Sequence, residues 1–355
     1  MKTTKKQKKS NLKVSLLLLL LAAVLLISST YAWFVTNNTA KVSTINVKVE
    51  TVEGLQISTD AAAWKAEITN ADITGAGGTY PTAVNQLPAI LKPVSSVGTI
   101  TSGKQEMFLG NVIQSTNPET ATEYALTATP ETDAHGTTGN YIAFDMFLNL
   151  QASSSKDLYL TTASGVRWDQ TRAEADSNAA YQTQKYLERA SRISFIVMGH
   201  APTADAATAQ GWTYNAADTD NCGYYLWEPN ADQHSTDASN NAVQGANTPL
   251  YTAENLATTP VPYSGVKATI TETDNVILKN ANVAGYSTKF AAVTPTLFTI
   301  ENFTPRAKLL TLKPGITKIR CYMWIEGQDA DCFTGASGTY LNWDLQFQVD
   351  TAAST

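Results

Sequence analysis

Three carboxylates crowd into six residues near the C-terminal end of this chain: Glu326, Asp329 and Asp331, around Gly327. Closely spaced hard oxygen ligands are what Ca²⁺ takes, so a Ca²⁺ site on Glu326, Asp329 and Asp331 is one reading. The spacing is not the twelve-residue loop of an EF-hand. The plainer reading is a turn closing a strand, its carboxylates bonded to backbone amides. Asp218, Asp220 and Asn221 form a second acidic turn.

Sulfur chemistry is limited to Cys222, Cys321 and Cys332. Three cysteines cannot all pair within one chain. In an oxidising compartment Cys332 pairs with Cys222 or with Cys321, spacing does not choose between them, and three free thiols are the alternative. No C-x-x-C or H-E-x-x-H is present, so zinc is not indicated. The histidines His135, His200 and His234 are isolated in or beside loops. There is no G-x-S-x-G elbow, P-loop or G-x-G-x-x-G. The pattern therefore implies no enzyme and no cofactor.

These residues sit in a chain of 355 with 43% hydrophobic and 16% charged residues, rich in Thr, Ala, Asn and Ser. Low charge with recurrent Tyr, Trp and Phe fits a β-rich domain with polar turns rather than a disordered chain. Residues 1–32 carry six lysines and no acidic residue; subtracting that +6 from the net −6 leaves −12 for residues 33–355. So acidic a remainder argues against nucleic acid and is compatible with divalent cations or a basic partner.

Short runs with two-residue alternation succeed one another along the chain. Ile45, Val47 and Val49 share one parity in residues 41–51, and Ile142, Phe144, Met146, Leu148 and Leu150 share another. Residues 193–198 (ISFIVM) are apolar throughout, as in a strand buried on both faces. Further strands are expected at 55–57, 103–113, 124–129, 158–160, 223–227, 266–271, 276–278, 297–300, 309–312, 317–326 and 340–349. Residues 58–104 read as loops and short strands, 201–210 as a polar, alanine-rich loop, and 231–248 as a long surface loop. Residues 176–189 read as a helix. This is a mainly β fold, a jelly-roll-like antiparallel β-sandwich with long loops and one or two short helices.

Ahead of it, residues 14–35 form an apolar run with six consecutive leucines behind the lysines. Basic, apolar, then small describes a signal peptide, with Thr30 and Ala32 at −3 and −1 of a cleavage site between Ala32 and Trp33. The run is also long enough for an uncleaved transmembrane helix, with the lysines on the cytoplasmic side. Residues 1–32 are thus signal peptide or membrane anchor, and 33–355 an exported domain, extracellular or at the cell surface.

Thr30-Tyr31-Ala32-Trp33-Phe34, closing such a leader, resembles the signal peptides of the TasA/camelysin family of Gram-positive bacteria. The likeness covers roughly the first 60 residues, where the alternating stretch 42–50 fills the place of the family's first strand. It implies a SipW-type signal peptidase as processing partner, self-association or related matrix proteins, and a biofilm-matrix role. It also implies a donor arm, residues 33–50, added as a strand to the next subunit. The metalloprotease activity associated with the camelysin branch is not carried over, because the paired helix histidines are absent. The alternative is a membrane-anchored binding module that does not polymerise, meeting a glycan or protein through Tyr224, Tyr225 and Trp227.

Overall fold

The structure is a computed structural model that describes residues 39–114, 116, 124–179, 182, 187–229, 263–277, 286–299, 306–329, 332 and 337–350. The leader, the cleavage position at Ala32 and Trp33, His234, Asp331 and the expected loop 231–248 lie outside the described residues. Of the described residues, 50% are strand and 13% helical. An average domain is 20–25% strand, so the fold is mainly β.

The strands form three layers. The outer sheet runs in the order Ala307–Leu312, Lys156–Leu160, Thr339–Val349, Ala40–Val49, Glu67–Thr69. Gly165–Trp168 also pairs with Thr339–Val349, and Ile90–Leu91 with Ala40–Val49. The central sheet is built on Ile142–Leu150, Gly315–Ile325, Ser191–Ala201 and Gly223–Glu228, all antiparallel. Leu55–Ser58 and three two-residue strands finish or flank it. The covering layer holds a sheet of Val276–Ile277, Tyr124–Glu131, Met107–Gln114 and Val94–Ser95, with the antiparallel pair Tyr263–Val266 and Phe290–Val293 beside it.

Alternation of side chains explains the layering. Ile142, Phe144, Met146, Ile193, Phe195, Ile319, Cys321 and Met323 pack against Ile45, Val47, Trp343 and Phe347 of the outer sheet. The opposite parity, including Tyr141, Ala143, Ile196, Met198, Tyr322 and Trp324, packs against Val94, Met107, Tyr263 and Val293 of the covering layer. Every residue of Gly315–Ile325 is therefore buried. The ISFIVM run behaves as its composition predicts. Phe347 meets Phe195 edge-on across the first core, with centroids 5.9 Å apart.

The first described strand, Ala40–Val49, lies inside the outer sheet. It runs parallel to the last strand from Ala40↔Thr339 to Val49↔Phe347, with an irregularity at Ser43. Ile45, Val47 and Val49 point into the core, while Thr44, Asn46 and Lys48 face outward. Thr44 donates to Asn342 Oδ1 (2.8 Å) and Asn46 Nδ2 to Asp344 Oδ1 (3.1 Å). Residues 40–49 of the expected donor arm are thus paired within their own chain. The sheets are also not purely antiparallel, since this pairing and two shorter ones run parallel.

Three local expectations are corrected. Over 176–189, Asp176–Ala179 is non-helical and Leu187–Ala190 is a 3-10 turn; the described α-helix here is the earlier Gln170–Glu174, capped by Asp169. Asp176 instead bonds Lys41 and Tyr340, which holds it in the outer sheet's environment. Residues 58–104 include the helix Asn70–Gly75, started by a Thr69–Asp72 capping box. Residues 201–210 run into the helix Ala206–Gly211, capped by Asp205 accepting from Thr208 N–H. Among the described residues no helix is long and apolar enough to cross a membrane.

Candidate functional site

Glu326 and Asp329 come together where Gly315–Ile325 ends. Glu326 N–H donates to Ala190 O and Gly327 N–H to Val94 O, so the turn is stitched to the central sheet on one side and the covering layer on the other. Its carboxylate is fully buried: Trp324 Nε1 donates to Oε2 (3.0 Å) and Gln328 N–H to Oε1 (3.0 Å). These are the backbone and ring N–H partners of a strand-closing turn.

The cation these carboxylates meet is a side chain. Arg192, 1% exposed at the start of Ser191–Ala201, places Nη2 2.8 Å from Asp329 Oδ2 and 3.2 Å from Glu228 Oε1. Its Nη1 donates to Ser191 O, and the guanidinium stands 5.3 Å from the ring centroid of Tyr263. Burial works against the guanidinium, but Glu228 and Asp329 hold it charged, above its ordinary value. Burial pushes Glu326 up to about 7, against the bonds from Ser95, Trp324 and Gln328 and the pull of Arg192. Of the three carboxylates read as a Ca²⁺ set, two are thus engaged with protein partners and Asp331 lies outside the described residues. Among the described residues no group of three His, Cys, Asp or Glu is arranged to hold a metal.

A second buried ionic group lies further along the same face of the central sheet. Arg320 grips Asp145 through Nε (2.7 Å) and Nη2 (3.0 Å), and its Nη1 donates to Gly103 O. Tyr80 OH donates to the same carboxylate. Lys318, 3% exposed at its side chain, donates to Gln210 O and Trp212 O and stands 3.9 Å from Asp145. Burial lowers Lys318 to about 8, with Asp145 opposing and Arg320 reinforcing. Between the two groups, Ser194 donates to Gln105 Oε1 and Tyr322 OH to Asp133. The covering layer is thus joined to the central sheet by a column of bonded polar groups as well as by apolar contact.

The three cysteines are present as thiols, the alternative to the pairings of Cys332 with Cys222 or Cys321. Cys321 lies between Phe144 and Phe195 on neighbouring strands, its thiol sealed in the inter-sheet core, where burial pushes it well up. Cys332 is buried in the same core. Cys222 is half-buried in a groove between the edges of the outer and central sheets, with His200, Asp220, Lys313, Leu310 and Leu312. Burial raises the Cys222 thiol, and burial and Lys313 lower His200. A protonated thiol beside a neutral imidazole is the reverse of an ion-paired nucleophile. His200 Nδ1 lies 3.1 Å from Thr317 Oγ1, and His135, exposed, has Nδ1 3.0 Å from Asn85 Oδ1.

The aromatic surface read at Tyr224, Tyr225 and Trp227 is also corrected. Trp227 is wholly buried with Nε1 donating to Thr299 (3.1 Å), and the two tyrosines are half-buried. Arg192, Glu228, Asp145, Lys318 and Arg320 escaped the sequence reading. The signal for them was a charge set inside a strand that is otherwise apolar. No protein-family model, curated protein or solved structure matches this chain.

Proposed function

We propose that this is an exported structural protein of the cell surface or extracellular matrix, a fibre subunit that gives its first strand to the next copy, and not an enzyme. The leader places such a strand directly behind a cleavage position at Ala32. The finer fold in this reading is a jelly roll formed by the outer and central sheets, with the covering layer added to it.

The observation that carries the reading is the place of Ala40–Val49. It lies at the N-terminal end of the described chain yet is embedded in a sheet, and one short segment ties it to the next strand, Leu55–Ser58. That segment carries two left-handed residues, Glu53 (φ 61°) and Gly54 (φ 73°). A Cβ on Gly54 would come 2.8 Å from Gln151 Cβ, so the turn is held closely against the Ile142–Leu150 strand. Withdrawing the strand removes Ile45, Val47 and Val49 from the core. At about 1.5–3 kcal/mol each, that is comparable with the roughly 5–15 kcal/mol of a whole domain. The vacated slot must be refilled, and an identical strand from a second copy refills it with the same contacts.

The pairing of this strand within its own chain favours a second reading, a surface module that keeps its strand and does not polymerise. Asn46→Cys with Asp344→Cys, in a Cys222→Ser background starting at Trp33, separates the two. If strands are donated, the oxidised double variant stays monomeric and the reduced one forms filaments by electron microscopy. Single variants, mixed and oxidised, then give disulfide-linked oligomers. Filaments from the oxidised double variant sink strand donation; absence of filaments in both states leaves the module.

A further inference from the structure

At one edge the outer and central sheets leave a groove between them with a volume of about 220 Å³. At roughly 30 Å³ per water, that is space for about seven waters, or for one small polar ring. Leu310 and Leu312 (6% and 1% exposed) line it from the outer sheet, Tyr225 and His200 from the central sheet, and the turn 219–222 borders it. Gly223 makes the Tyr225 wall possible. A Cβ there would come 3.1 Å from Tyr225 Cε2, so the ring lies back along its own strand. The ring packs on the inter-sheet core yet stays half-buried.

The polar side of the groove is fixed by the chain's own bonds. Asp218 O accepts from Asn221 N–H (3.3 Å) and Cys222 N–H (2.8 Å), and Asn221 Nδ2 donates to both oxygens of the Asp218 carboxylate (3.2 Å each). Lys313, just beyond the Ala307–Leu312 strand, donates from Nζ to Asp220 O (2.7 Å) and Asn221 Oδ1 (3.3 Å). An ammonium has three protons, so one N–H is left for a guest. Among the lining residues Lys313 and Asp220 are one charge of each sign, and burial and Lys313 lower His200 toward its neutral form. A neutral imidazole both donates and accepts. Groups fixed in advance lower the cost of ordering a guest.

We propose that this groove holds one neutral sugar ring of a glycan, its C–H face on Tyr225, Leu310 and Leu312 and its hydroxyls on Lys313, Asp220 and His200. One charge of each sign gives neither an anion nor a cation the advantage, and an apolar guest would leave the polar side unbonded. A pyranose matches both sides: its neighbouring hydroxyls each donate and accept, while its ring carbons present an apolar face. Cys222 lines the same groove, its thiol raised by burial, and reports whether the groove is filled. The site is the same in a subunit that donates its first strand and in one that keeps it.

The rate at which iodoacetamide alkylates Cys222 in the native protein tests this, because Cys321 and Cys332 are buried. The probes are the methyl β-glycosides of glucose, galactose and N-acetylglucosamine at about 100 mM, where a Kd of about 10 mM slows alkylation about tenfold. At least one of them is expected to do so. Sorbitol, an open-chain polyol without a ring face, is expected to leave the rate unchanged. Lys313→Met and Tyr225→Ala are expected to abolish the protection, and Tyr225→Phe, which keeps the ring, to retain it. No slowing by any of the three glycosides, equal slowing by sorbitol, or protection that survives Lys313→Met overturns the proposal. So does stronger protection by methyl glucuronide or inorganic phosphate, which would make the groove an anion site, or by a Val-Thr repeat peptide, which would make it an edge for strand addition. If Tyr225→Ala does not fold, Lys313→Met and Tyr225→Phe decide the matter.

Discussion

Two buried groups on one face of the central sheet should lower stability most near pH 7–8, where the usual profile is highest. Glu326 has its folded value raised from 4.5 to about 7 by burial. A raised carboxyl binds its proton more tightly when folded, so its contribution is complete below pH 4.5 and is lost as pH climbs to 7. Lys318 has its folded value lowered from 10.5 to about 8, again by burial. A lowered amine is at its best above pH 10.5, and that contribution is lost as pH falls to 8. Each shift is about 2.5 units, or about 3 kcal/mol at 1.36 kcal/mol per unit. Either wall is a sizeable part of a total near 5–15 kcal/mol. The assay is urea unfolding at half-unit steps from pH 5 to 10; His200, lowered by burial, and Cys321, raised by burial, act inside this range with the opposite signs, so each wall is read as the difference between the parent and one variant. Glu326→Gln should flatten the acid wall and leave the alkaline one; Lys318→Met should do the opposite. Parent and Glu326→Gln curves that run parallel from pH 5 to 7, or parent and Lys318→Met curves that run parallel from pH 8 to 10, refute the reasoning.

The packing sets other outcomes. Phe347→Ala removes the ring that meets Phe195 between the two sheets and should cost about 3–5 kcal/mol by denaturant titration. Thr44→Ala, on the exposed face of the first strand, should stay within about 0.5 kcal/mol. Asp145→Ala leaves Arg320 buried without its bidentate partner and should cost about 3–5 kcal/mol, unless the protein fails to fold at all. In native protein a thiol reagent should label Cys222 and spare Cys321 and Cys332; three labels before unfolding would contradict the burial of the latter two.

Much of the strand architecture was legible in the sequence because it rests on short-range periodicity. Residues 142–150, 191–201 and 315–325 announce themselves by apolar content, and the first strand by alternation. Partners were not legible. Arg192 lies 137 residues from Asp329, and the first strand pairs with one about 298 residues away, so no local pattern pointed to either. The turn reading of Glu326 needed only nearby amides and agrees with the bonds to Gln328 and Trp324. The Ca²⁺ reading could not take account of a guanidinium supplied by a distant strand. In the covering layer the strands Met107–Gln114, Tyr124–Glu131 and Val276–Ile277 were legible, whereas Val94–Ser95 and Phe290–Val293 were not, being too short for two-residue alternation to show. The helices Asn70–Gly75 and Ala206–Gly211 did carry capping signals at Thr69 and Asp205, masked by the Ala, Gly and Thr around them.

The parallel pairing of the first strand with the last sets the order in which this protein can be finished. A chain grows from its N-terminus at about 5–20 residues per second, so Ala40–Val49 emerges roughly 15–60 s before Thr339–Val349 exists to receive it. During that interval Ile45, Val47 and Val49 have no sheet to enter. Contacts of such long sequence separation also fold slowly. The outer sheet therefore works as a completeness check: a chain cut short anywhere before residue 339 leaves its first strand only the short partners Glu67–Thr69 and Ile90–Leu91, with one long edge open and sticky until the last strand arrives.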